Sequence, residues 1–116
     1  MANISNVYIG YNANSGLAKI GQTTRKINER EKEIRRAEKG YAHITHKTII
    51  EPQGDDTVSL AVEGHMRLKL AQAGYIRQGN DHFQVPHNML KDFLHKAKTI
   101  ADEYCEYAGI GHSDWS

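Results

Sequence analysis

Arg30 is a permanently charged, planar guanidinium set where a hydrocarbon is expected. On a helical wheel drawn for the segment 25–39, Ile27, Ile34 and Ala37 share one face, and Arg30 falls between Ile34 and Ala37. Such a side chain can lay its stem on a core and snorkel to the helix edge. It can also clamp a phosphate, for which its fork of donors is suited. Tyr8 lies in a β-branched and aromatic run, where alternation sets it on the face opposite Val7 and Ile9. Its phenol is either half-buried packing or a proton-transfer group; the second use needs a cation or base beside it, because a free phenol titrates at about 10. Lys19 is a candidate for that neighbour, since an ammonium stabilises a phenolate and a desolvated lysine acts as a base. The bland alternative is a solvent-facing hairpin lysine. Glu63 stands at the border of the apolar stripe of a second helical segment. From there a carboxylate reaches a cleft beside a sheet, or simply pairs with Arg67 one turn on.

The elements that must position these groups follow from periodicity. Segments 7–11 and 17–22 are extended in pattern, and Asn12, Ala13, Asn14, Ser15 and Gly16 between them are rich in turn formers, so a β-hairpin is expected. Thr23 and Thr24 offer hydroxyl caps before a charged helix over 25–39, with Gly40 as its stop. A β-branched run over 42–50, closed by Pro52, predicts a third strand. Asp56 or Thr57 caps a helix over 58–73 whose stripe is Val58, Val62, Met66, Leu70 and Ala73. A polar loop, a short strand over 82–85 and a core helix over 88–107 with Met89, Phe93, Ala97, Ile100 and Tyr104 on one face complete the chain. The tail 110–116 is expected to fray. The fold class is α+β: a short antiparallel sheet flanked by about three helices, in one domain with its core over 6–107.

Composition narrows the setting. The chain has 116 residues, enough for one core and too few for two. The net charge of +1 gives no overall case for a polyanion partner, so any basic surface must be local. Cys105 is the single cysteine, which rules out an internal disulfide and the usual structural zinc site. His43 and His46, three apart on an expected strand, would point to opposite faces and make a poor metal pair. The first residues carry neither a basic region nor an apolar run, and no apolar stretch reaches membrane length, so a cytoplasmic protein with no membrane association is expected.

Two stretches, Asn6-Val7-Tyr8-Ile9-Gly10-Tyr11 and Leu17-Ala18-Lys19-Ile20-Gly21-Gln22-Thr23, with Arg30 nine residues beyond Gly21, resemble the paired signature of the GIY-YIG nuclease superfamily. The second motif reads Lys-Ile-Gly in place of Tyr-Ile-Gly and looks like a phage-associated branch. Glu63 and the His82-Phe83 pair stand where that branch completes its module. The resemblance implies a metal-dependent DNA endonuclease in which Tyr8, Lys19, Arg30 and Glu63 are catalytic. Tyr8 and Lys19 would activate water, Arg30 would offset phosphoryl charge, and Glu63 would hold magnesium or manganese. The Lys-for-Tyr change and the near-neutral charge keep a second expectation open: a catalytically silent module of the same fold that binds nucleic acid or a protein partner, such as a phage factor acting on host defence.

Local charge gives DNA mild support. From Lys19 to Lys39 eight basic residues stand against four acidic ones, although pairs such as Glu31 with Arg35 absorb part of the excess. Thr23, Arg25, Lys26 and Arg35 are the expected DNA contacts on this segment, and Asn80 or His82 is a further one; Phe83 is expected to pack. A homodimer is also compatible, since cutting both strands takes two active centres.

Overall fold

The computed structural model describes residues 5–24, 26–37, 42–50 (backbone), 57–80 and 82–116. Strands β1 (Ser5–Asn12) and β2 (Leu17–Thr23) form the expected hairpin, followed by α1 (Ile27–Ala37), β3 (Ala42–Ile50) and α2 (Thr57–Gln72). Then come β4 (Ile76–Gln78), β5 (His82–Gln84), a 3-10 turn (His87–Met89) and α3 (Leu90–Ala108). The expected helix stop Gly40, the cap Asp56 and the candidate Arg25 lie outside the described residues.

The five strands run in the order β3-β1-β2-β5-β4, with every described pairing antiparallel. The hairpin closes because Gly16, at φ 71°, takes a left-handed conformation open to glycine and donates its N–H to the Asn12 carbonyl at 2.8 Å. The Asn12 side chain accepts from the N–H groups of Asn14 and Ser15 and braces the same turn. Strand β5 joins β2 only along Leu17–Lys19, so the stretch of β2 from Ile20 to Thr23 has no strand beside it on that edge among the described residues.

Alternation along β1 divides the protein into two apolar clusters, one on each face of the sheet. Val7, Ile9 and Tyr11, with Ala18 and Ile20, pack against Val62, Met66 and Leu70 of α2 and Phe93, Ala97, Ala101 and Cys105 of α3. Tyr8 points the other way and packs with Ile34 and Ile27 of α1. Phe83 is fully buried in the first cluster, its ring 5.8 Å from that of Phe93. Helix α3 ends where Gly109, at φ 70°, turns left-handed and Ile110 donates its N–H to the Cys105 carbonyl.

Several details depart from the sequence expectations. The polar loop before β5 contains strand β4, whose three residues are all exposed and so lack alternation. Met89 belongs to the 3-10 turn after Pro86 and is 43% exposed, so the buried face of α3 starts at Phe93. Ala37, at the last turn of α1, is exposed. A register shift in the β1–β3 ladder between Ile9 and Gly10 sets His46 opposite Ile9 and His43 opposite Tyr11. The tail is docked: Ile110 and Trp115 pack against the main cluster, and Trp115 donates its indole N–H to Asp102 of α3 at 2.9 Å. Among the described residues no helix is long and apolar enough to cross a membrane.

Candidate active site

The site is built on the minor cluster. Tyr8 is fully buried mid-strand, directly opposite Gly21 in the hairpin ladder. Its ring lies across that glycine so closely that a Cβ at position 21 would sit 2.4 Å from both Cζ and the phenolic oxygen. Gly21 has no positive φ, so what the position requires is space for the ring, not backbone freedom. The phenolic oxygen accepts a hydrogen bond from Nε of Arg30 at 3.1 Å. That bond uses the oxygen as an acceptor and leaves the phenolic proton available to a further group. Arg30 reaches it because Ile27 and Ile34, three positions before and four after, seat α1 over Tyr8. Its outer nitrogen lies 3.7 Å from Glu33, one turn further along α1.

Lys19 pairs with Gly10, two residues from Gly21, and therefore lies on the face that carries Tyr8. Glu63 comes from α2, on the other side of the sheet, and is 8% exposed. Its carboxylate forms an ion pair with Arg67 at the next turn. Burial pushes the Tyr8 phenol up from its ordinary value. The hydrogen bond from Arg30 and the charges of Lys19 and Arg30 pull the other way, and the Glu63 carboxylate pushes it up further. The net direction is upward, which corrects the expectation of a phenol made acidic by Lys19. Desolvation of a wholly buried ring outweighs the neighbouring cations, so Tyr8 is a neutral phenol at neutral pH.

Beside the Tyr8–Arg30 pair opens a recess of about 220 Å³ lined by Gln22, Thr23, Thr24, Arg30 and Glu33. Thr23 is thus brought next to Arg30 while itself buried. Gln22 accepts at Oε1 from the hydroxyl of the buried Ser59 at 3.1 Å, tying the start of α2 to β2 one turn before Glu63. Sequence reasoning passed over Ser59, Gln22 and Glu33; a serine one turn before a candidate ligand was the only local signal. Of the remaining expected DNA contacts, Lys26 is exposed just before α1, and Arg35 is turned to Glu31 at 3.7 Å. Asn80 sits exposed in the β4–β5 turn, on the Gly21 side of the His82–Lys19 pairing, where its carbonyl accepts from Arg77.

The donor chemistry for a metal is one carboxylate. No group of three or more His, Cys, Asp or Glu side chains gathers among the described residues. A single buried carboxylate fits magnesium, which keeps most of its water and takes its other ligands from phosphate oxygens, and it does not fit a cation that needs a full protein cage. Cys105 offers no nucleophile at neutral pH, because burial, with Asp102 nearby, pushes its thiol up to about 11. Comparison with family models, curated proteins and solved structures yields no match to this chain.

Proposed function

We propose that the protein is a metal-dependent endonuclease of the GIY-YIG type that hydrolyses phosphodiester bonds in DNA in the cytoplasm. The observation that carries this reading is the hydrogen bond from Arg30 to Tyr8 above Gly21. It joins the arginine and the tyrosine of the two-motif signature, with the second-motif glycine as the seat of the ring.

In this reading a phosphate enters beside Arg30, at the recess lined by Thr23 and Thr24. The guanidinium nitrogens not bonded to Tyr8 donate to the phosphoryl oxygens and offset the charge that grows on them as water attacks. Tyr8, neutral and held by Arg30, donates its proton to an oxygen at phosphorus or, once ionised, takes the proton of the attacking water. Its upward-shifted pKa makes the second role grow with pH, so cleavage rises on the alkaline side. Lys19, on the same face, adds positive potential where phenolate forms. Glu63 would hold the magnesium ion, which supplies Lewis-acid polarisation of a phosphoryl oxygen when bound.

The test is nicking of supercoiled plasmid with magnesium or manganese, comparing wild type with Arg30→Ala. Loss of a donor to the developing charge lowers the rate about 10²–10³-fold while the variant still unfolds cooperatively. One observation favours the silent binding module instead: Arg67 already balances the Glu63 charge. A wild type that never nicks, with either metal, decides for that module.

A further inference from the structure

We propose that a groove along the first turns of α3 is a second, non-catalytic contact for nucleic acid, gripping the phosphodiester backbone of a segment separate from the one at Arg30. The proposal takes only the class of ligand from the nuclease reading. Its geometry is independent of the Tyr8 site.

The groove, of about 460 Å³, is lined by His87, Leu90, Lys91, Leu94, His95 and Lys98. Lys91, His95 and Lys98 follow one another at four and three residues, so they form a row along one side of the helix. At 1.5 Å per residue the row is about 10 Å long. A strand of B-DNA advances about 3.4 Å per phosphate, so about three phosphates fit beside it.

Three features of charge set this row apart. First, the cations of α1 stand among carboxylates: Arg30 pairs with Glu33 and Arg35 with Glu31, and Lys32 and Arg36 line a recess together with Glu29 and Glu33, whereas no carboxylate lines the α3 groove and the side chains of Lys91, His95 and Lys98 make no ion pair or hydrogen bond among the described residues. Second, the charge runs against the helix dipole. The lysines occupy the first half of α3 with Asp92 as the one acid among them, while Asp102, Glu103 and Glu106 occupy the second half and its last turn has no base. A helix stabilised for its own sake carries the reverse order, so helix stability does not account for the lysines. Third, the apolar floor is mostly committed: Leu90 and Leu94 are half-buried against the main cluster. An acidic peptide would need free apolar surface for anchor side chains, and a phosphate backbone needs cations alone.

Position completes the argument. Helix α3 packs on the Val7 and Ile9 face of the sheet, and α1 with Arg30 packs on the Tyr8 face. A straight duplex held at Arg30 does not also lie in the α3 groove, so the groove takes a second arm or a looped strand.

The experiment is fluorescence anisotropy with a labelled DNA duplex of about 20 base pairs in EDTA, over about 50–200 mM salt. The 116-residue chain is compared with Lys91→Gln/Lys98→Gln. Lys96→Gln is the control, because Lys96 is exposed and does not line the groove. The paired variant should bind about tenfold more weakly at low salt, with a log–log salt slope shallower by about 2, since each phosphate contact contributes about 0.9. Lys96→Gln should match wild type. Arg30→Ala should keep the steep part of the slope that the lysines supply. Equal binding by wild type and the paired variant overturns the proposal, as does an equal loss in Lys96→Gln. Undiminished DNA binding with lost capture of a polyglutamate peptide overturns it in favour of an acidic protein partner. Because no metal is present, a wild type that binds as described but never nicks plasmid upholds the groove while the cleavage reading fails.

Discussion

Gly21→Ala is expected to be the most informative single change in this protein, because it adds one methyl where the structure leaves no room. The new Cβ would meet Tyr8 Cζ and its hydroxyl at 2.4 Å and Cε2 at 2.9 Å. Real contacts of that kind do not occur, so the ring must leave its seat. Tyr8 is fully buried between the sheet and α1, and overfilling such a site costs about 1–3 kcal/mol. Moving the ring also breaks the Arg30 hydrogen bond, which contributes about 1 kcal/mol. The sum, about 2–4 kcal/mol, corresponds at about 4 °C per kcal/mol to a fall in Tm of about 8–16 °C. Thermal unfolding by circular dichroism measures it, and a double-mutant cycle assigns it. Tyr8→Leu removes the atoms that the methyl would strike, so in that background Gly21→Ala should cost little, and the coupling between the two changes should exceed about 1 kcal/mol. Equal losses in both backgrounds would refute the placement of the ring over Gly21 and, with it, the geometry on which the active-site reading stands.

Two further outcomes follow from the electrostatics. The Tyr8 phenol is shifted upward by burial, so above about pH 10 the unfolded chain releases its proton while the folded chain retains it. The unfolded state then binds fewer protons and stability falls as pH rises; urea midpoints taken from pH 8 to about 11 should fall more steeply for wild type than for Tyr8→Phe, and parallel curves would remove the burial argument. Glu63→Gln keeps an oxygen for Arg67 but no charge for a hard cation, so metal-stimulated nicking should disappear while DNA affinity in EDTA holds or rises slightly; undiminished nicking would dismiss Glu63 as the metal ligand.

How much of this was legible in the sequence depends on the distance over which each feature is decided. The hairpin, β3 and the three helices are set by patterns a few residues long, and their positions agree with those patterns to within a residue or two over the described chain. Strand β4 was invisible because Ile76, Arg77 and Gln78 are all exposed, so neither alternation nor burial marks them. The order β3-β1-β2-β5-β4 was equally hidden, since β5 finds β2 across most of the chain. In the site, strand parity set Tyr8 on the face opposite Val7 and Ile9 and the wheel set Arg30 within the apolar stripe of α1, but neither pattern alone specified the bond between them. The direction of the Tyr8 shift did not follow, because depth of burial is a property of the assembled layers. Asp102 as the anchor for Trp115 was beyond reach for the same reason: a single indole finding a single carboxylate leaves no periodic trace.

The strand order also sets an order of assembly. Strands β1, β2 and β3 and helix α1 form ladders and contacts within the first half of the chain, so Tyr8, Gly21 and Arg30 meet through short loop closures. Strand β5 reaches β2 only after the chain has returned from α2, a longer closure with a larger entropic penalty and a slower expected step. The Gln22–Ser59 bond and the carboxylate of Glu63 belong to that later docking. During synthesis, therefore, the emerging chain brings a guanidinium and a phenol together well before it places the carboxylate. Until α2 is seated, the arginine–tyrosine half of the site exists alone, and the buried carboxylate joins it last.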